Sequence, residues 1–385
     1  MYKISIILPT FNVEKYLKKS FDSILSQTIG FSNIQVIYVD DNSSDNSRKI
    51  IDKYAKQYEN VISIHLNQNS GAAGKPRNEG VKFAFADYVM FLDPDDYLME
   101  NACEIFYNKI NESNADVVIA GYQTRGWNCR WNPTLDVEES LIEDPSHNLS
   151  LFSNSPALAA KIFRKKLILE NNIKFPEKIP AQDLVFLTEC YLNAKSVLTL
   201  NNFISYVYYV RDDENDKSIT NNVSKKYLIN LLSAYNLTLD LLSKFNVNIY
   251  LMNIYFCKLH LNYFVNQLRR SNLKGIELEN FFNNEVFLKF RNRDFILKNN
   301  DLNDFFDDLI DDYETVDLNR LMNISNNAEN LFTNSDICVL EKSYHAVENK
   351  CSDEMEIDEI QHELYHILKK TSELNNKLED NKNSD

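Results

Sequence analysis

The chain has 385 residues, 44% hydrophobic and 25% charged, with only 7 glycines and 8 prolines. That composition excludes collagenous and low-complexity classes, and the length allows two domains or one with an appendage. The formal charge of −15 is unevenly placed: residues 301–385 hold 22 acidic and 7 basic side chains, and residues 1–300 balance at 34 of each. No basic stripe is available to coat phosphates, so nucleic acid is not an expected partner. The opening MYKISIILPTF lacks the charged and apolar regions of a secretory signal. No run reaches the ~18 apolar residues of a transmembrane helix. The six cysteines are scattered without a CxxC pair, which reads as reduced thiols. These features predict a cytoplasmic protein and leave room for peripheral contact at the inner membrane face.

In chain order, residues 3–8 (KISIIL) read as a strand, and residues 14–27 carry helical spacing through Tyr16, Leu17, Phe21, Ile24 and Leu25. Residues 35–40 (QVIYVD) form the next strand, and 44–58 a helix opened by the capping-type Ser43, Ser44 and Asp45. A strand at 61–66, a helix at 76–85, a strand at 88–92 (YVMFL), a helix at 100–111 and a strand at 116–122 continue the alternation. Such alternation predicts an α/β fold with a mainly parallel sheet. The near-continuous apolar strands predict cover on both faces. Residues 123–180 read as an irregular insertion with a helix over 157–171. Residues 182–193 read as a helix, and 197–200 and 205–210 as paired strands. Beyond Tyr227 the pattern is helical, over 227–245, 249–268 and 280–290.

Ligands of parallel α/β sheets lie beyond the carboxyl ends of the strands, and four polar clusters occupy those positions. Asp93-Pro94-Asp95-Asp96 places two carboxylates two residues apart, hard oxygen donors suited to Mg²⁺ or Mn²⁺. A plain Asp/Pro turn is the bland alternative; the neighbouring clusters favour the site. Asp41 offers an acceptor that a nucleobase imide needs, and the competing role of helix cap is open to Ser43, Ser44 or Asp45 without it. Gly71 to Asn78 (GAAGKPRN) joins flexible glycines to Lys75 and Arg77, a combination suited to a diphosphate. It is not a Walker A loop.

The ordered set ILPTFN, VDDNSSD, NSGAAGKPRNEG and FLDPDDY resembles family 2 glycosyltransferases of the GT-A fold over about the first 125 residues. The resemblance implies a Rossmann-like nucleotide-sugar domain and a UDP-sugar donor. Pro9, Thr10, Asn12 and Asp41 would line the uracil pocket with Arg77 nearby, and Asp93 would face the ribose. Asp95 would ligate Mn²⁺ or Mg²⁺. Either Asn67 or Asn69 matches the loop asparagine; Asn69 is preferred. The Pro76-Arg77 step and the helical later half also look like the wall teichoic acid N-acetylglucosaminyltransferase branch. That likeness implies UDP-GlcNAc among the donors and a glycan or polyol-phosphate acceptor.

Ala181-Gln182-Asp183-Leu184 occupies the place of the family's acidic motif, with Gln182 where Glu is usual. Asp183 matches the catalytic aspartate, and inverting transfer needs a base for the acceptor hydroxyl. Alone, Asp183 would read as a helix N-cap. The family's later histidine has no counterpart in residues 212–220 (DDENDKSIT), where Asp212 and Asp213 are the available carboxylates. The implied organisation is a GT-A domain over 1–222, divided into a nucleotide-sugar half (1–125) and an acceptor half (126–222). A helical region follows over 223–330 and an acidic helical tail over 331–385. The tail's apolar stripe from Ile357 to Leu378 predicts a helix that packs in cis or forms a homo-oligomer. Two other readings are a sugar-nucleotide pyrophosphorylase, which usually carries a basic glycine-rich loop after the first strand, and a non-catalytic scaffold.

Overall fold

A computed structural model describes residues 2–124, 127–129, 139–152, 157–209, 223–245, 247, 256–297, 299–321 and 323–324. The expected terminal helix and the acidic stretch 212–220 lie outside the described residues. The chain divides into two compact units, one of residues 1–247 with 263–294, the other of residues 248–262 with 295–385.

The first unit is built on a single sheet. Strands β1 (Ile4–Thr10), β2 (Ile34–Asp40), β3 (Val61–His65) and β4 (Tyr88–Phe91) run parallel in the order β3-β2-β1-β4. Every residue of β1, β2 and β4 is buried, as expected of strands covered on both faces. The crossover helices are α1 (Leu17–Leu25), α2 (Ser47–Gln57), α3 (Gly74–Lys82) and α4 (Ala102–Ser113). α1 turns Leu17, Phe21 and Ile24 inward, and Phe21 stacks on Tyr54 of α2 with centroids 4.1 Å apart. Short strand β5 (Tyr97–Leu98) follows the D-P-D-D turn, and β6 (Val117–Thr124) ends the first half.

The sheet then continues with strands of both directions. β7 (Trp127–Cys129) pairs antiparallel with β6, and β8 (Glu139–Glu143) precedes a short helix α5 (Leu149–Phe152). β9 (Lys161–Arg164) lies between β4 and β6, antiparallel to both, and leads into α6 (Lys165–Glu170). In place of the helix expected over 157–171 stand the four-residue β9 and the six-residue α6, because the sheet offers Lys161 to Arg164 two partners that a local pattern does not encode. α7 spans Gln182–Asn193, as expected. The two strands expected at 197–200 and 205–210 do not pair with each other. They form one strand, β10 (Ser196–Val207), parallel to β6, with register shifts between Leu200 and Tyr206 that accommodate the polar Asn201-Asn202 step.

α8 (Lys225–Lys244) begins at Ser224, whose hydroxyl accepts the Tyr227 amide at 3.2 Å. After the π-helical turn Phe256–Leu261 come α9 (Asn262–Arg270), α10 (Ile276–Phe282) and α11 (Glu285–Arg291). The single helix expected over 280–290 is two, because Asn284 caps a new start by accepting the Val286 amide at 3.0 Å. Arg293 and Lys289 both reach Asp240 of α8, at 2.7 and 2.9 Å. In the second unit, Phe256 meets Phe295 at 5.9 Å. Past α12 (Asp294–Leu297), α13 (Asn300–Asp311) buries Leu302, Phe305, Phe306 and Leu309 on one face.

Candidate active site

The parallel strands β1, β2 and β4 end on one edge of the sheet, and the polar clusters follow them there. Pro9 and Thr10 close β1 and are buried. The Thr10 carbonyl accepts the Asp41 amide at 2.8 Å, which ties the two strand ends together. Asp41 is 4% exposed. Its carboxylate accepts the Ser70 amide at 2.9 and 3.0 Å, the Ser70 hydroxyl at 2.9 Å and Asn69 Nδ2 at 3.1 Å. The capping alternative for Asp41 is thus displaced by a clasp on the loop before α3. Burial pushes its pKa up, against the Ser70 hydrogen bonds and Lys75, which pull it down. Asn69, the preferred loop asparagine, is the one that reaches Asp41.

Asn12 is placed differently. With φ of 49° it turns back, and its amide oxygen accepts the Ser44 amide at 2.8 Å and the Asp45 amide at 3.4 Å. Its side chain stitches the loop after β1 to the loop after β2. Phe11, which sequence reasoning passed over, is 45% exposed at this corner.

The second cluster gathers around Arg77, which is 3% exposed. α3 presents it from beneath the edge. Its Nη1 donates to Asp183 Oδ1 at 2.6 Å and its Nη2 donates to Asp93 Oδ1 at 2.7 Å. The guanidinium lies 5.4 Å from the Phe175 ring centroid, and Phe175 stacks on Phe186 of α7 at 3.8 Å. Burial alone would lower the Arg77 pKa; Asp183 and Asp93 outweigh it and raise the value. Asp183 stands in the first turn of α7 and is bound to Arg77, whereas the helix is preceded by Ala181, with φ of 55° and no side-chain cap. Burial pushes the Asp183 carboxyl up, and Arg77 and Lys161 oppose that shift.

Asp95 and Asp93 are half-buried, while Asp96 is buried. Asp96 accepts the Tyr206 hydroxyl at 2.6 Å and the Tyr209 amide at 2.7 Å. Burial, with Asp95 and Asp93 beside it, pushes its pKa up to about 8. Asp96 and Tyr206 thus form the floor under the D-x-D pair. Both belonged to stretches that stand out in the sequence, but only contact shows their joint role. Lys161 gave no sequence signal. It is 5% exposed, donates to the Ala157 and Ala159 carbonyls, and burial lowers its pKa to about 8. Among the described residues, no three His, Cys, Asp or Glu side chains group closely enough to hold a metal ion by themselves.

The family model described as glycosyl transferase family 2 matches residues 5–168. Poly(ribitol-phosphate) beta-N-acetylglucosaminyltransferase TarP of Staphylococcus aureus is 32% identical over 239 residues, 61% of this chain and 72% of TarP. The chain belongs to glycosyl transferase family 2. A poly(ribitol-phosphate) beta-glucosyltransferase of Bacillus spizizenii is 35% identical over 222 residues, 55% of this chain. This family member spans only 33% of that relative's length. The crystal structure of S. aureus TarS 1–349 in complex with UDP-GlcNAc shares the fold, with a TM-score of 0.59 and 23% identity over 85% of this chain and 91% of that one. Among the described residues, no helix is long and apolar enough to cross a membrane.

Proposed function

We propose that this chain transfers a sugar, with inversion, from a UDP-sugar to a hydroxyl of a polyol-phosphate polymer. The observation that carries the reading is Arg77, which joins Asp93 of the D-x-D turn to Asp183 of α7. A donor-side carboxylate and an acceptor-side carboxylate are thereby held on either side of one guanidinium, as a displacement at a single carbon requires. The names of TarP and the B. spizizenii relative support a ribitol-phosphate acceptor, with N-acetylglucosamine or glucose as the donated sugar.

In this reading, Pro9, Thr10 and Asp41 line the uracil pocket, and Asn69 and Ser70 hold the Asp41 carboxylate in place for the base. Asn12 shapes the pocket by fixing the loop over residues 43–45. Asp93 faces the ribose side of the donor. Asp183 takes the proton of the acceptor hydroxyl as its oxygen attacks the anomeric carbon. A new C–O bond forms there, and the bond to the UDP oxygen breaks.

The donor set fits Mn²⁺ or Mg²⁺, since Asp95 supplies hard oxygen and substrate phosphates commonly complete such a site. A bound cation would neutralise charge on the departing diphosphate. Asp96 is the buried member of the run, its two oxygens accepting the Tyr206 hydroxyl and the Tyr209 amide, and the half-buried Asp95 is the carboxylate offered to a cation. The pyrophosphorylase alternative has no basic glycine-rich loop after β1; that corner holds an exposed Phe11 and an Asn12 whose side chain is bound to Ser44 and Asp45.

The test is UDP release by purified protein from UDP-GlcNAc and UDP-glucose, with poly(ribitol phosphate) as acceptor and Mn²⁺ or Mg²⁺ present. Asp183→Asn keeps the shape and removes the base, and turnover should drop by ~10²–10⁴ while UDP affinity holds. Equal turnover in that variant would return Asp183 to a structural role. No acceptor-dependent UDP release from either donor would overturn the transferase reading.

A further inference from the structure

Asp183 can serve as a base only in its ionised form, and its surroundings divide on that point. Four neighbours bear on it: Arg77 on α3, Asp93 after β4, Lys161 at the start of β9, and the uncharged Gln182 beside it in the chain. Burial and the Asp93 charge favour the protonated acid; Arg77 and Lys161 favour the carboxylate. Lys161 already has two carbonyl partners, at Ala157 and Ala159. Arg77 is the neighbour in direct contact, through a 2.6 Å hydrogen bond to Oδ1.

The guanidinium has little freedom to leave. Its side chain is 4% exposed, Phe175 covers one face, and Asp93 takes the second Nη at 2.7 Å. Phe175 is fixed in turn by a two-way amide pair with Asn78 of α3, both bonds at 2.9 Å. The Asp183 side chain keeps 29% of its surface open, so one oxygen is occupied while the carboxylate remains reachable.

We propose that Arg77 is a positioning residue for the base, holding Asp183 ionised and fixing Oδ1 so that Oδ2 is the oxygen that receives the acceptor proton. The assignment rests on the transferase reading for its meaning in catalysis, but the charge relation between Arg77 and Asp183 can be measured without any substrate. An arginine next to an aspartate lowers the carboxyl pKa by about 1–3 units, so losing it should move the titration upward by that amount.

The experiment is an infrared pH titration of the full chain, with the Asp183 carboxyl isolated by difference against Asp183→Asn. In Arg77→Gln the protonation midpoint should rise by about 1–3 pH units. Arg77→Lys, which keeps a charge but not the two-pronged fork, should give a smaller rise. A midpoint unchanged from wild type in either folded variant overturns the proposal. Should circular dichroism show that neither folds, the wild-type midpoint decides: an Asp183 held ionised for turnover at neutral pH titrates below about pH 7, and a midpoint above that overturns the proposal.

Where UDP release is measurable, the acid limb of the turnover–pH profile should move with the titration. An active Arg77→Lys whose acid limb stays at the wild-type position, despite a shifted titration, overturns the catalytic part. A shifted titration in a chain that releases no UDP from either donor supports the charge relation and sinks the transferase reading instead.

Discussion

Replacing Gly74 by alanine would add one methyl group where α3 meets the segment before α7. An ideal Cβ on Gly74 falls 2.2 Å from the Pro176 carbonyl oxygen, 3.2 Å from its carbon and 2.4 Å from Gln182 Oε1. The Gln182 side chain has some freedom to turn away; the Pro176 carbonyl is backbone. Relieving the contact needs a displacement of about 1 Å, since carbon and oxygen are comfortable only near van der Waals distance. Asn78, one turn along the same helix, is bound in both directions to Phe175 at 2.9 Å and resists that displacement. Arg77 lies between the wedge and the clamp. Its bonds to Asp183 and Asp93, at 2.6 and 2.7 Å, would stretch beyond hydrogen-bond range if the helix moved by that amount.

Overpacking of this kind costs about 1–3 kcal/mol, and the better helix propensity of alanine returns at most about 1 kcal/mol. The expected result is a lower urea midpoint together with a turnover loss of at least about tenfold, the rate equivalent of ~1.4 kcal/mol. Gly71→Ala is the matched control. Gly71 has φ of 82° and open space around its missing Cβ, so alanine there costs about 1–2 kcal/mol of backbone strain without pressing on α7. Its turnover should stay within a fewfold of wild type. Denaturation curves and UDP release on both variants decide the matter. A Gly74→Ala protein as stable and active as wild type would refute the proposed rigidity of this contact.

Three further outcomes are expected. Asp41→Asn should weaken UDP binding by about 10–100-fold, the worth of a charge-assisted hydrogen bond; calorimetry returning the wild-type affinity would remove Asp41 from the base pocket. Asp95→Asn should abolish the extra thermal stabilisation that Mn²⁺ gives in the presence of UDP, and equal stabilisation of wild type by UDP in EDTA would count against a metal at Asp95. Lys161→Met addresses pH. The folded lysine loses its proton near pH 8 and the unfolded one near 10.5, so the unfolded state binds more protons between those values and wild-type stability should climb there with pH. Below pH 8 both states are protonated and the buried charge is carried in full. Relative to Lys161→Met, the wild type should gain about 2–3 kcal/mol between pH 7 and 10; parallel stability curves would show that Lys161 is not desolvated as described.

The first half of the fold was legible in the sequence because parallel strands covered on both faces are unbroken apolar runs. β1, β2, β3 and β4 all begin within one residue of the expected positions. Carboxylates after strands were legible for a related reason, since turn chemistry and ligand chemistry use the same residues. The partners of Arg77 were not. They lie 16 and 106 positions away in the chain, and no local spacing encodes which of several carboxylates a guanidinium will meet. Asn12 shows another case. The resemblance implies a uracil contact, and no local pattern encodes that its side-chain oxygen also accepts the Ser44 amide and hydroxyl and the Asp45 amide.

The hardest residue to foresee was Lys161, and the direction of β9 explains why. For a parallel strand, the functional edge of the sheet is reached at its carboxyl end, so the polar clusters follow the strand. β9 runs the other way. Its register sets Tyr88 opposite Arg164 and Met90 opposite Ile162, so the chain enters β9 at the edge where β4 finishes, and the residue delivered there is the first of the strand. On the far side, β6 pairs Ile119 with Lys161. The lysine therefore reaches the field of Asp183 from a strand start, where a search of strand ends does not look. β10 behaves as the parallel rule demands: it is parallel to β6, and Tyr206, one residue from its end, supplies the hydroxyl bound to Asp96. A mixed sheet thus needs two rules for one edge, reading after the parallel strands and before the antiparallel ones, and choosing between them requires the pairing that only the folded chain displays.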